Sequence, residues 1–162
     1  MGDGTVKVGD FGSCRSVAKV ASRHGDNEPC QYNYASPERW AGGDYGQKTD
    51  VYSLGAMLFE MCHPVFETAK ERVDALRNLR EERLPPNWTL PETHPSVAQL
   101  VLSMLALEPD RRPSASQAAI EAERLSTEQM ASADSGHRGW SRLIGLVTQI
   151  FLCCVKTSSH KR

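Results

Sequence analysis

Residues 49–62 constrain the fold of this chain most, because they are apolar on almost every side of a helix. A helix that is apolar nearly all round is buried at the centre of its domain, so other elements have to pack around it. Thr49 or Asp50 is predicted to cap its start, and His63-Pro64 to end it. Its apolar residues, which recur at helical spacing or fill the other faces, are Val51, Tyr52, Leu54, Met57, Leu58, Phe59 and Met61.

Further helices are predicted on the carboxyl side of this central helix. Residues 67–83 are charged and helix-prone, with a thin apolar stripe, and residues 96–107 are clearly amphipathic. Ser114 and Gln117 form a capping box that opens a last helix, which is expected to end near Leu125. The apolar residues behind these predictions are Val73, Leu76 and Leu79 in the first helix and Val97, Leu100, Val101, Met104 and Leu105 in the second.

A short strand and a long loop are predicted near the amino terminus. Residues 5–9 alternate between apolar and polar, and Asp3-Gly4 before them is a hairpin-turn dipeptide. A hairpin needs a second strand, so we expect the chain to begin inside a structural unit and to be a piece of a longer protein. Residues 11–35 have no periodicity and are predicted to form an exposed loop.

Composition and charge exclude several classes of protein. The formal net charge of −1 argues against a general nucleic-acid binder, which needs a basic surplus, so no direct contact with nucleic acid is expected. The five cysteines are odd in number and include no Cys-x-x-Cys pair, which argues against a disulfide framework or a structural zinc site. The scattered histidines are predicted to lie on the surface or in loops. No run of about 18 apolar residues predicts a membrane-spanning helix.

Four short motifs follow one another in order, each at a boundary of a predicted element. A carboxylate at the end of a strand, followed by a glycine that lets the chain turn, can hold Mg²⁺ against the phosphates of a nucleotide. Each motif alone is a weak signal, but their order and the helices between them are specific. The motifs are Asp10-Phe11-Gly12, Ser36-Pro37-Glu38, the stretch from Asp50 to Gly55, and Arg112-Pro113.

Over about residues 3–126 this arrangement resembles the eukaryotic protein kinase family. The resemblance implies a mainly α fold, the C-terminal helical lobe of the α+β kinase fold, with the β-rich N-terminal lobe absent. It implies ATP and Mg²⁺ as cofactors of the complete kinase, with Asp10 as the metal ligand and Asp10, Phe11 and Gly12 at the nucleotide. It also implies a Ser/Thr protein kinase, a protein substrate and, in the complete kinase, a dimer.

The resemblance gives three further residues structural rather than catalytic roles. Glu38 and Arg112 would form the buried ion pair that ties the activation segment to the helical base of the lobe. Asp50 would brace the backbone of the catalytic loop. The activation segment would contain Ser13, Ser16, Ser22, Tyr34 and Ser36, of which the first three are candidates for phosphorylation.

A narrower resemblance concerns residues 63–88. They are similar to the helix by which stress-response kinases that phosphorylate the alpha subunit of initiation factor 2 dock their substrate, which makes that subunit the expected substrate. The alternative is that any kinase has a charged helix at this place. The residues that carry the resemblance are Phe66, Thr68, Glu71-Arg72, Leu79-Arg80 and Leu84-Pro85.

Most parts needed for phosphoryl transfer are not among the 162 residues. The glycine-rich phosphate loop, the strand lysine with its helix glutamate, and the catalytic loop all belong before Asp10 in the family. Gln31 also stands where the family usually has a Thr that supports the catalytic Asp. We therefore expect this chain alone to be inactive, and an alternative is a non-catalytic kinase lobe that acts as a docking or regulatory binding module.

The composition divides the chain into three parts: a partial kinase domain at 1–126, a Ser-, Gly- and Ala-rich linker at 127–139, and an apolar, basic tail at 140–162. Residues 140–155 are compatible with a helix that lies on a membrane surface and is palmitoylated at Cys153 or Cys154. The alternative is that they pack against the kinase base or a partner. A cytoplasmic location, with membrane association through the tail as an option, is the expectation.

Overall fold

The computed structural model describes residues 33–43 and 46–131, with the side chains of all but the last three. These residues are largely helical and include no strand, which confirms the prediction of a mainly α fold. Helices α1 to α5 belong to one compact unit, and α6 belongs to another. The helices are α1 (Pro37–Trp40), α2 (Gln47–Met61), α3 (Ala69–Asn78), α4 (Leu90–Thr93), α5 (Pro95–Met104) and α6 (Ala115–Ala131), with short 3-10 turns at Leu79–Glu81 and Pro109–Arg111.

The start of α2 differs from the prediction. Gly46 is the N-cap, with no side-chain cap, so the predicted capping by Thr49 or Asp50 is wrong. Both residues lie in the first turn, where the carboxylate of Asp50 favours the positive end of the helix dipole. The end agrees with the prediction, because α2 finishes just before His63-Pro64.

Only one side of α2 is buried. Leu54 is partly exposed, and the side chains of Met57 and Met61 are 39% and 44% exposed. These three residues follow one another at helical spacing, so they form an apolar stripe open to solvent in this structure. The prediction of burial on every face is wrong for this stripe. The buried side consists of Val51, Tyr52, Gly55, Ala56, Leu58 and Phe59.

Helix α2 packs against α5, and this contact forms the core of the first unit. The five apolar residues predicted to lie on one face of this helix are all buried, which confirms that face, although α5 ends just before Leu105. Gly55 permits the close approach of the two helices, because a Cβ atom at this position would lie 2.8 Å from Cβ of Met104. The buried residues of α5 at helical spacing are Val97, Leu100, Val101 and Met104.

Helix α3 is shorter than the predicted 67–83. Thr68 caps its start with a side-chain oxygen that accepts from the Glu71 amide at 3.0 Å. The helix tightens into the turn Leu79–Glu81 and stops at Glu82, whose φ of 55° lies in the left-handed region. The chain therefore leaves the helix ahead of Pro85 and Pro86.

A small aromatic cluster lies beside the end of α2. The Phe59 ring is 5.2 Å from the Trp88 ring and 5.5 Å from the His63 ring, and His63 stacks on Phe66 at 4.1 Å. Nδ1 of His63 lies 2.7 Å from the carbonyl oxygen of Pro64. His63 lies in the loop that follows α2, which agrees with the prediction, and its side chain is buried there.

Helix α6 begins directly after Ser114, as the capping box predicted, but it ends at Ala131 rather than near Leu125. Arg124 pairs with Glu121 at 2.6 Å and also with Glu128. Such pairs one turn apart stabilise an exposed helix, which explains how it continues into the segment predicted as linker. One face of the helix, comprising Ala118, Ala119, Ala122 and Leu125, is buried.

Replacing Gly55 by alanine is expected to destabilise the first unit. Alanine favours a helix over glycine by about 1 kcal/mol, but the added Cβ would meet Met104 at 2.8 Å. Overpacking of this kind costs about 1–3 kcal/mol. Chemical denaturation measures the difference, and Met57→Ala on the open face of the same helix is the control, expected to change stability by about 0.5 kcal/mol. A Gly55→Ala variant as stable as the parent would contradict the close approach.

Candidate functional site

A buried ion pair joins α1 to the turn that follows α5. Nη1 of Arg112 donates to Oε1 of Glu38 at 2.7 Å, and Nη2 donates to Oε2 at 2.8 Å. This two-pronged geometry is the strong form of an arginine–carboxylate interaction. Only 1% of the surface of Arg112 is exposed, so the charge of the guanidinium lies inside the protein.

The other donors of Arg112 are also used. Nε donates to the carbonyl of Ala106 at 2.7 Å, Nη1 to that of Lys48 at 3.0 Å, and Nη2 to that of Leu107 at 2.9 Å. The guanidinium thus satisfies its five N–H groups, and it lies 5.0 Å from the centre of the Tyr52 ring. Lys48 returns the contact by donating to the carbonyl of Arg112.

The surroundings keep Glu38 ionised. Burial alone would raise the pKa of Glu38, but the hydrogen bonds from Arg112, from the local backbone, and from Ser36 and Thr49 outweigh burial and lower it to about 2. The Thr49 hydroxyl donates to Oε1 of Glu38 at 2.8 Å, so this side chain binds Glu38 rather than capping α2. The site therefore joins the start of α1, the start of α2 and the turn after α5 through one carboxylate.

Asp50, the third residue expected to have a structural role, does not take part in this ion pair. It is exposed at the start of α2. Partial desolvation raises its pKa above the ordinary value, although the charge of Arg39 acts in the opposite direction. Glu38 and Arg112 are thus in contact, as predicted, whereas the expected role of Asp50 in bracing the catalytic loop stays a prediction.

The backbone of segment 33–36 is held by a side chain of α2 and a side chain of the turn after α3. The Ser53 hydroxyl of α2 donates to the carbonyl of Tyr34 at 3.0 Å. Arg80, in the turn after α3, donates to the carbonyls of Ala35 at 2.9 Å and Asn33 at 3.1 Å. Three consecutive carbonyls thus have fixed partners, which positions the chain just before α1.

Ser36, at the end of this segment, is fully buried. It is the N-cap of α1, and its Oγ accepts from the Arg39 amide at 3.4 Å. Its hydroxyl therefore serves the local fold.

The side chain of Tyr34 forms a three-residue cluster with Glu60 of α2 and Arg72 of α3. The Tyr34 hydroxyl donates to Oε2 of Glu60 at 2.5 Å and accepts from Nη2 of Arg72 at 2.7 Å. Arg72 also binds both oxygens of Glu60, through Nε and, at 3.1 Å, through Nη2. The pKa of Glu60 is lowered, since these hydrogen bonds outweigh the opposing effect of burial.

Sequence reasoning missed this cluster. Its members are separated by 26 and 38 residues from Tyr34, and no local spacing connects them. A signal was present only in part: Tyr34 and Arg72 were both singled out, each for a separate motif.

The region predicted to dock the substrate, residues 63–88, contains α3 and the chain on both sides of it, and its side chains fall into two groups. Arg72 and Arg80 face segment 33–36, whereas Val73 is 40% exposed and Val65, ahead of the helix, is 95% exposed. Glu71 completes the cap of the helix by accepting from the Glu67 amide at 2.8 Å. One side of α3 thus binds the segment, and the other side is exposed.

Several predicted residues lie outside the described ranges: Asp10, Phe11, Gly12, Ser13, Ser16 and Ser22, together with the tail at 140–155. Among the residues that are described, no group of three or more His, Cys, Asp or Glu side chains could hold a metal ion. Across the same ranges, no helix has the length and apolar character needed to span a bilayer.

Comparison with known proteins shows the family of the chain. The model of the protein kinase domain family matches residues 1–122, so the chain belongs to the protein kinase domain family. This confirms the resemblance that the four motifs indicated. The matched residues include both Glu38 and Arg112.

The proteins similar to this chain include kinases of eukaryotic translation initiation factor 2-alpha. Eukaryotic translation initiation factor 2-alpha kinase 3 of Rattus norvegicus is 34% identical over 124 residues, which are 70% of this chain and 11% of that protein. The 2-alpha kinase 1 of the same species is 35% identical over 126 residues, 71% of this chain and 20% of that protein. Probable serine/threonine-protein kinase ifkC of Dictyostelium discoideum is 46% identical over 89 residues, which are 52% of this chain and 5% of that protein. The chain thus spans a fifth or less of the length of these relatives.

Removing one partner of the buried ion pair is expected to be costly. Glu38→Gln leaves the guanidinium of Arg112 buried without its counter-charge, and such a change costs about 3–5 kcal/mol. The control is Lys70→Gln, which breaks the exposed pair with Asp74 at 2.8 Å and should cost no more than about 0.5 kcal/mol. Denaturant titrations measure both. Equal, small losses for the two variants would contradict the central role of the pair.

The same pair predicts how stability depends on pH. The pKa of Glu38 is about 2 in the folded protein and ordinarily 4.5, so its contribution is complete above pH 4.5 and is lost as pH falls toward 2. The free energy of unfolding should therefore fall more steeply for the parent than for Glu38→Gln over this range. Denaturant titrations of both proteins between pH 7 and pH 2.5 test this. Parallel curves would show that Glu38 is not the titrating group.

Proposed function

We propose that this chain is part of a Ser/Thr protein kinase that transfers the γ-phosphate of ATP to the alpha subunit of translation initiation factor 2. Membership of the protein kinase family supports the reaction, and the similarity to initiation factor 2-alpha kinases supports the substrate. The observation that carries the proposal is the pairing of two features in one unit. The Glu38–Arg112 ion pair fixes the helical base, and α3 ties to segment 33–36 with one side while its other side stays open.

In this proposal the described residues bind and position the protein substrate. Segment 33–36 faces the peptide that receives the phosphate, and its carbonyls are held by Ser53 and Arg80. The open side of α3, with Val73 and the preceding Val65, docks the folded body of the substrate. Contacts that are remote from the reacting hydroxyl can orient it, which is the main contribution a kinase scaffold makes to phosphoryl transfer.

ATP and Mg²⁺ are the proposed cofactors of the complete kinase, where they supply the phosphoryl group and neutralise its charge. Asp10 is the residue of this chain that would hold the metal, and it lies outside the described residues. The phosphate loop, the paired lysine and the catalytic Asp are not in the 162 residues. We therefore infer that this chain alone does not transfer phosphate.

A second candidate function is a docking or regulatory module without catalysis. It is favoured by the same open side of α3, because a lobe that presents this surface can bind the substrate without phosphorylating it. The two candidates differ in the size of the native protein and in activity, not in the docking surface.

The size and activity of the native protein test the proposal. We expect an antibody against residues 126–139 to detect a protein well above 17.9 kDa, the mass of this chain. Protein isolated with that antibody should phosphorylate the alpha subunit with Mg²⁺ and ATP, whereas the recombinant 162-residue chain should not. Asp10→Ala in the native-length protein should abolish the reaction, and Glu123→Gln, at an exposed position of α6 away from the docking surface, should leave it unchanged.

A native protein of 17.9 kDa that binds the alpha subunit without phosphorylating it would favour the docking module. A native-length kinase that phosphorylates other proteins but not the alpha subunit would remove the proposed substrate and leave the reaction class in place.

A further inference from the structure

Arg72 holds two partners that belong to different parts of the chain. It lies in α3, beyond the loop that follows α2, yet its guanidinium binds Glu60 near the end of α2 and the Tyr34 hydroxyl in segment 33–36. Its Cζ also lies 5.8 Å from the centre of the Tyr34 ring. One side chain of α3 therefore contacts both the central helix and the segment.

The three side chains depend on one another. The Tyr34 hydroxyl uses its hydrogen as donor to Glu60 and a lone pair as acceptor from Arg72. Glu60 accepts from both other members, and Arg72 donates to both. Removal of any one member leaves the other two with an incomplete set of partners, so the energies of the three contacts are not independent.

The cluster is only partly shielded from water. The side chain of Arg72 is 33% exposed and that of Glu60 is 22% exposed. Arg80 provides a second link from the same part of the chain, because it follows α3 directly and binds the backbone of segment 33–36. Arg72, near the start of α3, binds the Tyr34 side chain of the segment. Arg80, just beyond the end of α3, binds the segment backbone.

We propose that Arg72 is a positioning residue that fixes segment 33–36 through Tyr34 and Glu60, so that the segment and helix α3 behave as one body. This inference rests on the proposed function, in which the segment faces the substrate peptide and α3 docks the substrate. Arg72 touches neither substrate nor cofactor in this scheme. It acts by holding Tyr34.

A double-mutant cycle tests the link without any need for catalysis. The variants are Tyr34→Phe, Arg72→Gln and their combination in the full 162-residue chain. Each single change should lower the folding equilibrium constant about tenfold, and the combination should lower it little further, since either change already disrupts the cluster. The control pairs Tyr34→Phe with Arg77→Gln, an exposed arginine of the same helix, and should be additive.

A second measurement reports on position rather than stability. In the chain labelled with ¹³C-tyrosine, the ring signals of Tyr34 should move or broaden in Arg72→Gln and stay unchanged in Arg77→Gln. Arg72→Lys keeps the positive charge but lacks the planar guanidinium that binds two partners at once, so it should give an intermediate spectrum. Additive energies in the first cycle, or Tyr34 signals that ignore Arg72→Gln, would overturn the inference.

In the native-length kinase, Arg72→Gln should raise KM for the alpha subunit about tenfold with little change in kcat, because positioning is lost and the chemical step is intact. An inactive native-length protein would remove the proposed function, and the cycle and the tyrosine spectra would still decide the role of Arg72. A fall in kcat with KM unchanged would assign Arg72 to the chemical step and contradict a positioning role.

Discussion

The Glu38–Arg112 ion pair is the interaction on which the described fold of the first unit depends. Burying a guanidinium is unfavourable unless every donor finds a partner, and Arg112 meets this condition with one carboxylate and three carbonyls. Those partners belong to α1, to the start of α2 and to the chain after α5. Because the cost of leaving any of them unpaired is high, the ion pair sets where these three elements meet.

The helices on either side of this pair were largely predictable from local sequence. Spacing of apolar residues predicted the buried face of α5, and the capping box predicted the start of α6. Boundaries were less predictable where tertiary contacts compete with local preference. Thr49 is a good capping residue, but its hydroxyl instead donates to Glu38. Helix α2 therefore has Gly46 as its N-cap, although glycine is no better than threonine at this position.

The site was predictable only where a motif repeats across a family. Glu38 and Arg112 are 74 residues apart, and their pairing followed from resemblance rather than from spacing. The cluster around Tyr34 had no such guide. Each of its residues has an ordinary role when taken alone, as a loop tyrosine, a helix glutamate or a helix arginine. Their function as a unit depends on how α2 and α3 pack, which single-sequence reasoning does not supply.

The two charged sites differ in burial, and this difference suits different tasks. Arg112 is shielded from water, so its bond with Glu38 resists changes in salt. Arg72 and Glu60 remain partly exposed, so their attraction is weakened by dissolved ions and is cheaper to rearrange. The first pair is therefore suited to fix the base of the lobe permanently. The second is suited to a segment that has to be held in place and yet adjust when a substrate binds.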